Sequence, residues 1–220
     1  MIVAVYKPKG LTSNAVLNRL RHTAGTKGVG HAGTLDPLAE GVLVVGVGRE
    51  STKKLSTEVA KEKEYQASIM LGVTSITDDE EGEKTICAGY AIPEKKDIET
   101  AIHKFEGIIL QTPPPYSAVK VKGTEAYKRV RKGEEVILEP RQVEIKSITL
   151  EAYEWPLLIL TMVTGPGVYI RSLARDLGQV LGTGGYLSGL VRTRVGQWTC
   201  EDALSLAEAE AQCIKWAHYQ

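Results

Sequence analysis

Phenylalanine occurs once in 220 residues, cysteine three times, and the formal charges cancel, with 27 basic and 27 acidic side chains. Cys87, Cys200 and Cys213 are far apart and form no C-x-x-C, which argues against a disulfide framework and a thiolate zinc site. His22, His31, His103 and His218 never stand four apart and none has a cysteine neighbour, so no metal site is expected. The longest apolar runs, residues 41–47 and 156–162, fall far short of the roughly 20 residues that a bilayer-spanning helix needs. Met1 leads straight into Ile-Val-Ala-Val-Tyr without the basic and apolar regions of a secretory signal, so a cytoplasmic location is expected.

What is present is an ordinary globular composition, 43% hydrophobic and 25% charged, in a length that suits one generous domain. Charge is unevenly spread. Residues 1–54 carry a net +5, 55–113 a net −6, 114–200 a net +4 and 201–220 a net −3. Two basic blocks around an acidic one can fold into a face for a polyanion, although a mixed solvated surface explains the counts equally well.

The apolar pattern alternates between short strands and helices, with no internal repeat. Strands are predicted over 2–6, 42–47, 65–71, 108–111, 116–121, 143–150, 157–163 and 186–195. Helices are predicted after a Thr12 or Ser13 cap, over 97–105, 124–131 and 168–181, and at the close over 203–212. A Gly-rich loop is predicted from Gly25 to about Glu40, and an acidic loop over 78–83. Neighbouring strands without intervening helices predict an α+β fold with a mixed, largely antiparallel sheet flanked by helices and loops.

The segment from Gly28 to Gly41 is the most loaded. Gly28, Gly30 and Gly33 spell G-x-G-x-x-G, but a dinucleotide fingerprint needs a strand before the glycines and a helix after them, and here the order is reversed. The glycines let the backbone pass close to a bulky ligand. Pro37 biases Asp36 towards an extended conformation at a loop end, where a carboxylate can act as nucleophile or base. Read alone, Asp-Pro is more often a turn initiator than a catalyst.

The segment closely resembles the motif G-H-x-G-x-L-D-P-L-A-x-G-x-L of the TruB family of tRNA pseudouridine synthases, matched without a gap from Gly30 to Leu43. Five further blocks follow the family order. They are Lys7-Pro8-Lys9-Gly10-Leu11-Thr12-Ser13, Lys63-Glu64-Tyr65, Pro114-Pro115-Tyr116-Ser117-Ala118-Val119-Lys120, Gly167 to Gly178 with Tyr169-Ile170-Arg171, and Leu190-Val191-Arg192 with Gly196. The resemblance implies the pseudouridine-synthase fold and a cofactor-free isomerase converting the T-loop uridine at tRNA position 55. It makes Asp36 the essential carboxylate, Tyr65 a ring stacked near the C5 proton and Arg171 the partner that holds Asp36 ionised. His31, Tyr65, Tyr169 and Leu190 would bind the flipped nucleotide. Tyr65 and Leu190 also fit plain packing positions. Lys7 and Pro8 would support the catalytic loop. Lys120, Lys122, Lys128, Arg129, Arg131 and Lys132 form the densest basic stretch and suit contacts to the tRNA backbone, or a solvated helix.

The implied organisation is a catalytic domain over 1–200 and a short helical tail over 201–220, without the PUA-type domain that bacterial relatives usually carry. The expected partner is the tRNA T-arm, bound by a monomer without membrane or metal. A non-catalytic tRNA chaperone of the same fold and a dinucleotide-dependent oxidoreductase are the rival functions.

Overall fold

The computed structural model describes residues 1–218, so Tyr219 and Gln220 of the expected tail lie outside the described residues. In chain order the first elements are β1 (Ile2–Lys7), α1 (Ser13–Thr23), β2 (Val29–His31), β3 (Ala39–Val47), α2 (Arg49–Val59) and β4 (Lys63–Leu71). Then come β5 (Val73–Ser75), β6 (Lys84–Ile86), α3 (Lys95–His103), β7 (Gly107–Gln111), β8 (Lys120–Val121), β9 (Thr124–Glu125) and α4 (Ala126–Val130). The last are β10 (Arg141–Glu154), β11 (Leu157–Thr164), α5 (Ile170–Val180), β12 (Gly185–Val195), β13 (Trp198–Thr199) and α6 (Leu206–His218). The fold is mixed, with mostly antiparallel pairing, as the strand spacing predicts. Two compact units divide the chain, residues 1–66 with 190 onward and residues 67–189; β4 and β12 run through both.

In the first unit β3 is the central strand. β1 pairs antiparallel along one edge, while β2 and then β12, which is parallel, share the other. Strand side chains alternate between faces, and β3 is apolar on both because both are covered. Leu43, Val45 and Val47 pack with Val16, Leu17 and Leu20 of α1 and Leu206, Ala209 and Cys213 of α6. Val42 and Val44 face the other way, onto Ala32, Val195 and Leu55 of α2. In the second unit the 14-residue β10 lies between β11 and the edge strand β7. Helix α5 buries Ile170, Leu173, Ala174 and Leu177.

Four expectations change. The loop predicted up to Glu40 contains β2, whose Gly30 stands opposite Gly46. A Cβ on either would come within 3.2 Å of Leu55 Cδ1, so these glycines admit helix α2, not a ligand. Helix α2 itself was not predicted, because Leu55 is its one buried residue and its cap, Gly48, supplies no side-chain bond. The strand predicted over 116–121 shrinks to β8. Backbone bonds from Tyr127 N to Ser117 O and from Ala126 N to Val119 O instead hold residues 117–119 against the start of α4. The closing helix starts at Leu206 rather than Ala203, set by Ser205 and Glu208, whose side chains bond reciprocally to each other's backbone N–H.

Candidate functional site

The loop bearing Asp36 is fixed by the turn that follows β1. Ser13, the first residue of α1, is buried, and its hydroxyl accepts from Leu35 N and donates to Leu35 O, each at 2.9 Å. Gly10 N donates to Pro37 O at 2.8 Å. Asp36 and Pro37 open a turn closed by Ala39 N to Asp36 O at 3.1 Å, with Pro37 in the second position that proline favours. Asp36 is therefore a turn initiator and, half-buried, also presents a carboxylate from a backbone held on both sides. Lys7 acts as a splint. It is 0% exposed, and its ammonium donates to Pro8 O at 3.0 Å and Leu11 O at 2.6 Å.

Arg192, 1% exposed, is the hub of this unit, and its position was quoted in the sequence motif without a role. Its Nε donates to Val42 O at 2.7 Å and an Nη to Gly33 O at 3.1 Å. Gly33 has φ +97°, and a Cβ there would meet Arg192 Nη1 at 3.5 Å and Lys63 Cε at 3.6 Å. Side chains two apart on a strand share a face, so Tyr65 lies on the Lys63 face of β4 and Leu190 on the Arg192 face of β12. Leu190 is paired with Ala39, three residues beyond Asp36. His31 follows on β2 with its Nδ1 buried and, among the described residues, without a hydrogen-bond partner. Burial, then the charges of Arg192 and Arg21, hold its imidazole below the usual range, so it is mainly neutral at physiological pH. His31 and Lys63 thus lie within the field of one buried guanidinium, with Tyr65 and Leu190 on the strand faces of Lys63 and Arg192.

Lys7 and Lys63 are further buried cations that sequence reasoning left as support or as part of a motif. Burial takes the Lys7 ammonium down to about 8, opposed by Asp36 and Glu40 and assisted by Arg192. Burial and Arg192 take Lys63 to about 8 as well. Below pH 8 both the folded and the unfolded chain hold the Lys7 proton, and the cost of burying the charge is fully present. Between 8 and the ordinary 10.5 the unfolded chain binds more protons, so the contribution of Lys7 to stability rises with pH. Against Lys7→Met, wild type is expected to gain on the order of 1–3 kcal/mol in urea unfolding from about pH 7.5 to about pH 10. Parallel pH profiles would show that Lys7 keeps its proton.

In the second unit Tyr169 caps α5, and the buried amide of Gln111 pins its backbone, accepting from Tyr169 N at 2.8 Å and donating to its carbonyl at 3.1 Å. The Arg171 guanidinium, 6% exposed as a residue, donates to Thr77 O at 3.2 Å and Tyr116 O at 3.0 Å. It also pairs with Asp79 Oδ2 at 3.4 Å. Asp79 is 3% exposed and was legible only as part of an acidic loop; the one signal was adjacency to a second aspartate. Lys120, Lys122, Lys128, Arg131 and Lys132 are exposed on β8, α4 and the turns beside them. Lys128 is paired with Glu125 at 3.0 Å, Arg129 with Glu134 at 2.6 Å, and Arg131 lies over the Tyr127 ring. Among the described residues no group of three or more His, Cys, Asp or Glu could hold a metal ion, and no helix is long and apolar enough to cross a membrane.

Residues 21–170 match the family described as TruB family pseudouridylate synthase, N-terminal domain, and residues 171–220 match the tRNA pseudouridylate synthase B C-terminal domain. A tRNA pseudouridine synthase B of Thermobifida fusca is 44% identical over 219 residues, 96% of this chain and 74% of its own length. One of Streptomyces coelicolor is 41% identical over 220 residues, covering 96% and 73%. Among solved structures, a chain of an H/ACA RNP bound to a substrate RNA containing 2′-deoxyuridine superposes with a TM-score of 0.71 at 25% identity. That match covers 99% of this chain and 55% of the other.

Proposed function

The chain belongs to the TruB family of pseudouridylate synthases, and from that premise we propose that it isomerises the T-loop uridine at tRNA position 55 to pseudouridine. The observation that carries the proposal is Asp36, set on a loop pinned by Ser13 and Gly10, three residues before the pairing of Ala39 with Leu190. A stacked uracil cannot offer C1′ and C5 to a carboxylate, so the nucleotide must be flipped, at a cost of a few kcal/mol. Asp36 then acts on the flipped nucleotide, as nucleophile or as base towards a ribose proton. The C1′–N1 bond breaks, the uracil turns in place, and a C1′–C5 bond forms; C5 loses its proton and N1 gains one.

The exchange is redox-neutral and keeps every heavy atom, so the chemistry calls for no redox cofactor. Tyr65 stacks on the uracil near C5, and a mainly neutral His31 binds the RNA beside it without adding charge. Leu190 lines the base pocket. The roles that family membership gives Tyr169 and Arg171, lining the uracil site and pairing with the catalytic carboxylate, are part of the same proposal. So is the contact of Lys120, Lys122, Lys128, Arg129, Arg131 and Lys132 with tRNA phosphates, an attraction that weakens with salt.

The test is tritium release from a tRNA transcript labelled at C5 of uridine. The wild-type chain is expected to release one equivalent per tRNA; a chain that binds tRNA and releases none is a chaperone, and the isomerase assignment fails.

A further inference from the structure

One helical turn beyond Arg171 lies a second arginine bound to a second aspartate. Residues four apart share a helix face, so α5 presents Arg171 and Arg175 side by side. Arg175 Nη1 donates to Asp78 Oδ2 at 2.7 Å, its Nε to Asp176 Oδ1 at 2.8 Å, and its Nη2 to Thr112 O at 3.0 Å. Both guanidinium forks thus join the same two stretches of chain. Arg171 takes Thr77 O and Asp79 from the acidic turn and Tyr116 O from the segment after β7; Arg175 takes Asp78 and Thr112 O.

Asp78 is built for a fixed place. It is 6% exposed and holds φ +61°, the left-handed region that a non-glycine residue rarely adopts. Its N–H donates to Ser75 O at 3.1 Å and its carbonyl accepts from Leu187 N at 3.1 Å. Burial raises its carboxyl, opposed first by the charge and the hydrogen bond of Arg175 and then by Arg171. Without Arg175 this carboxylate would lose its direct partner, and the turn that supplies Thr77 O and Asp79 to Arg171 would lose an anchor. Among the described residues, Thr112 O would keep the Ser172 hydroxyl alone, at 2.8 Å.

We propose that Arg175 and Asp78 form a positioning pair that helps hold Arg171 in its working pose by fixing two segments that its guanidinium binds. The inference rests on the isomerase assignment and on Arg171 serving the reaction. Displacing a catalytic group by about 1 Å can cost around a hundredfold in rate. Arg175→Gln is therefore expected to slow single-turnover tritium release about ten- to a hundredfold at saturating enzyme, with tRNA affinity by filter binding changed less than about threefold.

The decisive arm is a double-mutant cycle with Arg171→Lys. If Arg175 acts through Arg171, Arg175→Gln in the Arg171→Lys background should cost less than about threefold. Equal factors in both backgrounds, or a loss of under about threefold in the wild-type background, would overturn the pair. Should Arg175→Gln not fold, the charge-balanced Asp78→Asn/Arg175→Gln chain carries the same cycle with the same two outcomes. Wild type runs alongside, so release by wild type upholds the isomerase assignment and a failure confined to the cycle counts against the pair alone.

Discussion

Replacing Asp36 by asparagine is expected to lower single-turnover pseudouridine formation by at least about 10⁴-fold while tRNA affinity stays within about threefold. The change deletes one oxygen's charge and leaves the backbone nearly untouched. The turn is closed through the Asp36 carbonyl, and the neighbouring residues are pinned through Leu35 and Pro37. Asparagine suits the first position of such a turn as well as aspartate does. Any loss therefore reports on the carboxylate and not on the loop. Formation within tenfold of wild type would remove Asp36 from the chemistry and return it to the turn-forming role its sequence context also allows.

Gly41→Ala is expected to be the most damaging small substitution in the catalytic motif. Gly41 holds φ +104°, and it is paired with Lys7 of β1 on one side and Arg192 of β12 on the other. A Cβ at this position would stand 2.3 Å from the Arg192 carbonyl oxygen and 2.9 Å from its carbonyl carbon and nitrogen. These are backbone atoms of the buried Arg192, so β3 and β12 would have to part where Arg192 holds Val42 O and Gly33 O. The expected cost exceeds about 4 kcal/mol, a drop in melting temperature of roughly 8–16 °C or more, read by thermal denaturation. Gly133→Ala is the control, since Gly133 has φ +78° but nothing within 4 Å of a Cβ. It should cost only about 1–2 kcal/mol for the left-handed conformation. Equal losses at the two positions would mean that backbone conformation, not the close approach of two strands, governs Gly41.

The parts legible in the sequence were those where local chemistry and tertiary position agree. The run 42–47 is apolar on both faces because helices cover both, and it was predicted as a buried strand. Thr12 caps α1 through its own hydroxyl, and α5 shows a clean apolar stripe. Helix α2 was hidden because it touches the core through Leu55 alone. The glycines of the G-x-G pattern misled for a similar reason. Gly28 and Gly30 look like ligand-facing residues in one dimension, yet Gly30 packs beneath Leu55, a residue 25 positions on that no local pattern connects to it.

The site was legible unevenly. Family resemblance singled out Asp36, His31, Tyr65 and Leu190, whereas the pairing of Leu190 with Ala39 and the approach of Lys63 and Arg192 to Gly33 are contacts that a sequence does not display. Burial of Lys7, Lys63 and Arg192 ran against expectation, because basic residues usually remain at the surface. Each is instead satisfied by main-chain carbonyls of turns or strands, partners that carry no sequence signature. Asp78 and Asp79 were legible only as part of an acidic loop because the arginines they pair with lie more than ninety positions away.

The most direct measurement is the position of the product. After incubation with the wild-type chain, a full-length tRNA transcript is treated with carbodiimide and read by primer extension. One new stop is expected, at the T-loop uridine 55, and none with Asp36→Asn. A tRNA that is bound yet shows no stop, or shows one outside the T-loop, would contradict the proposed function.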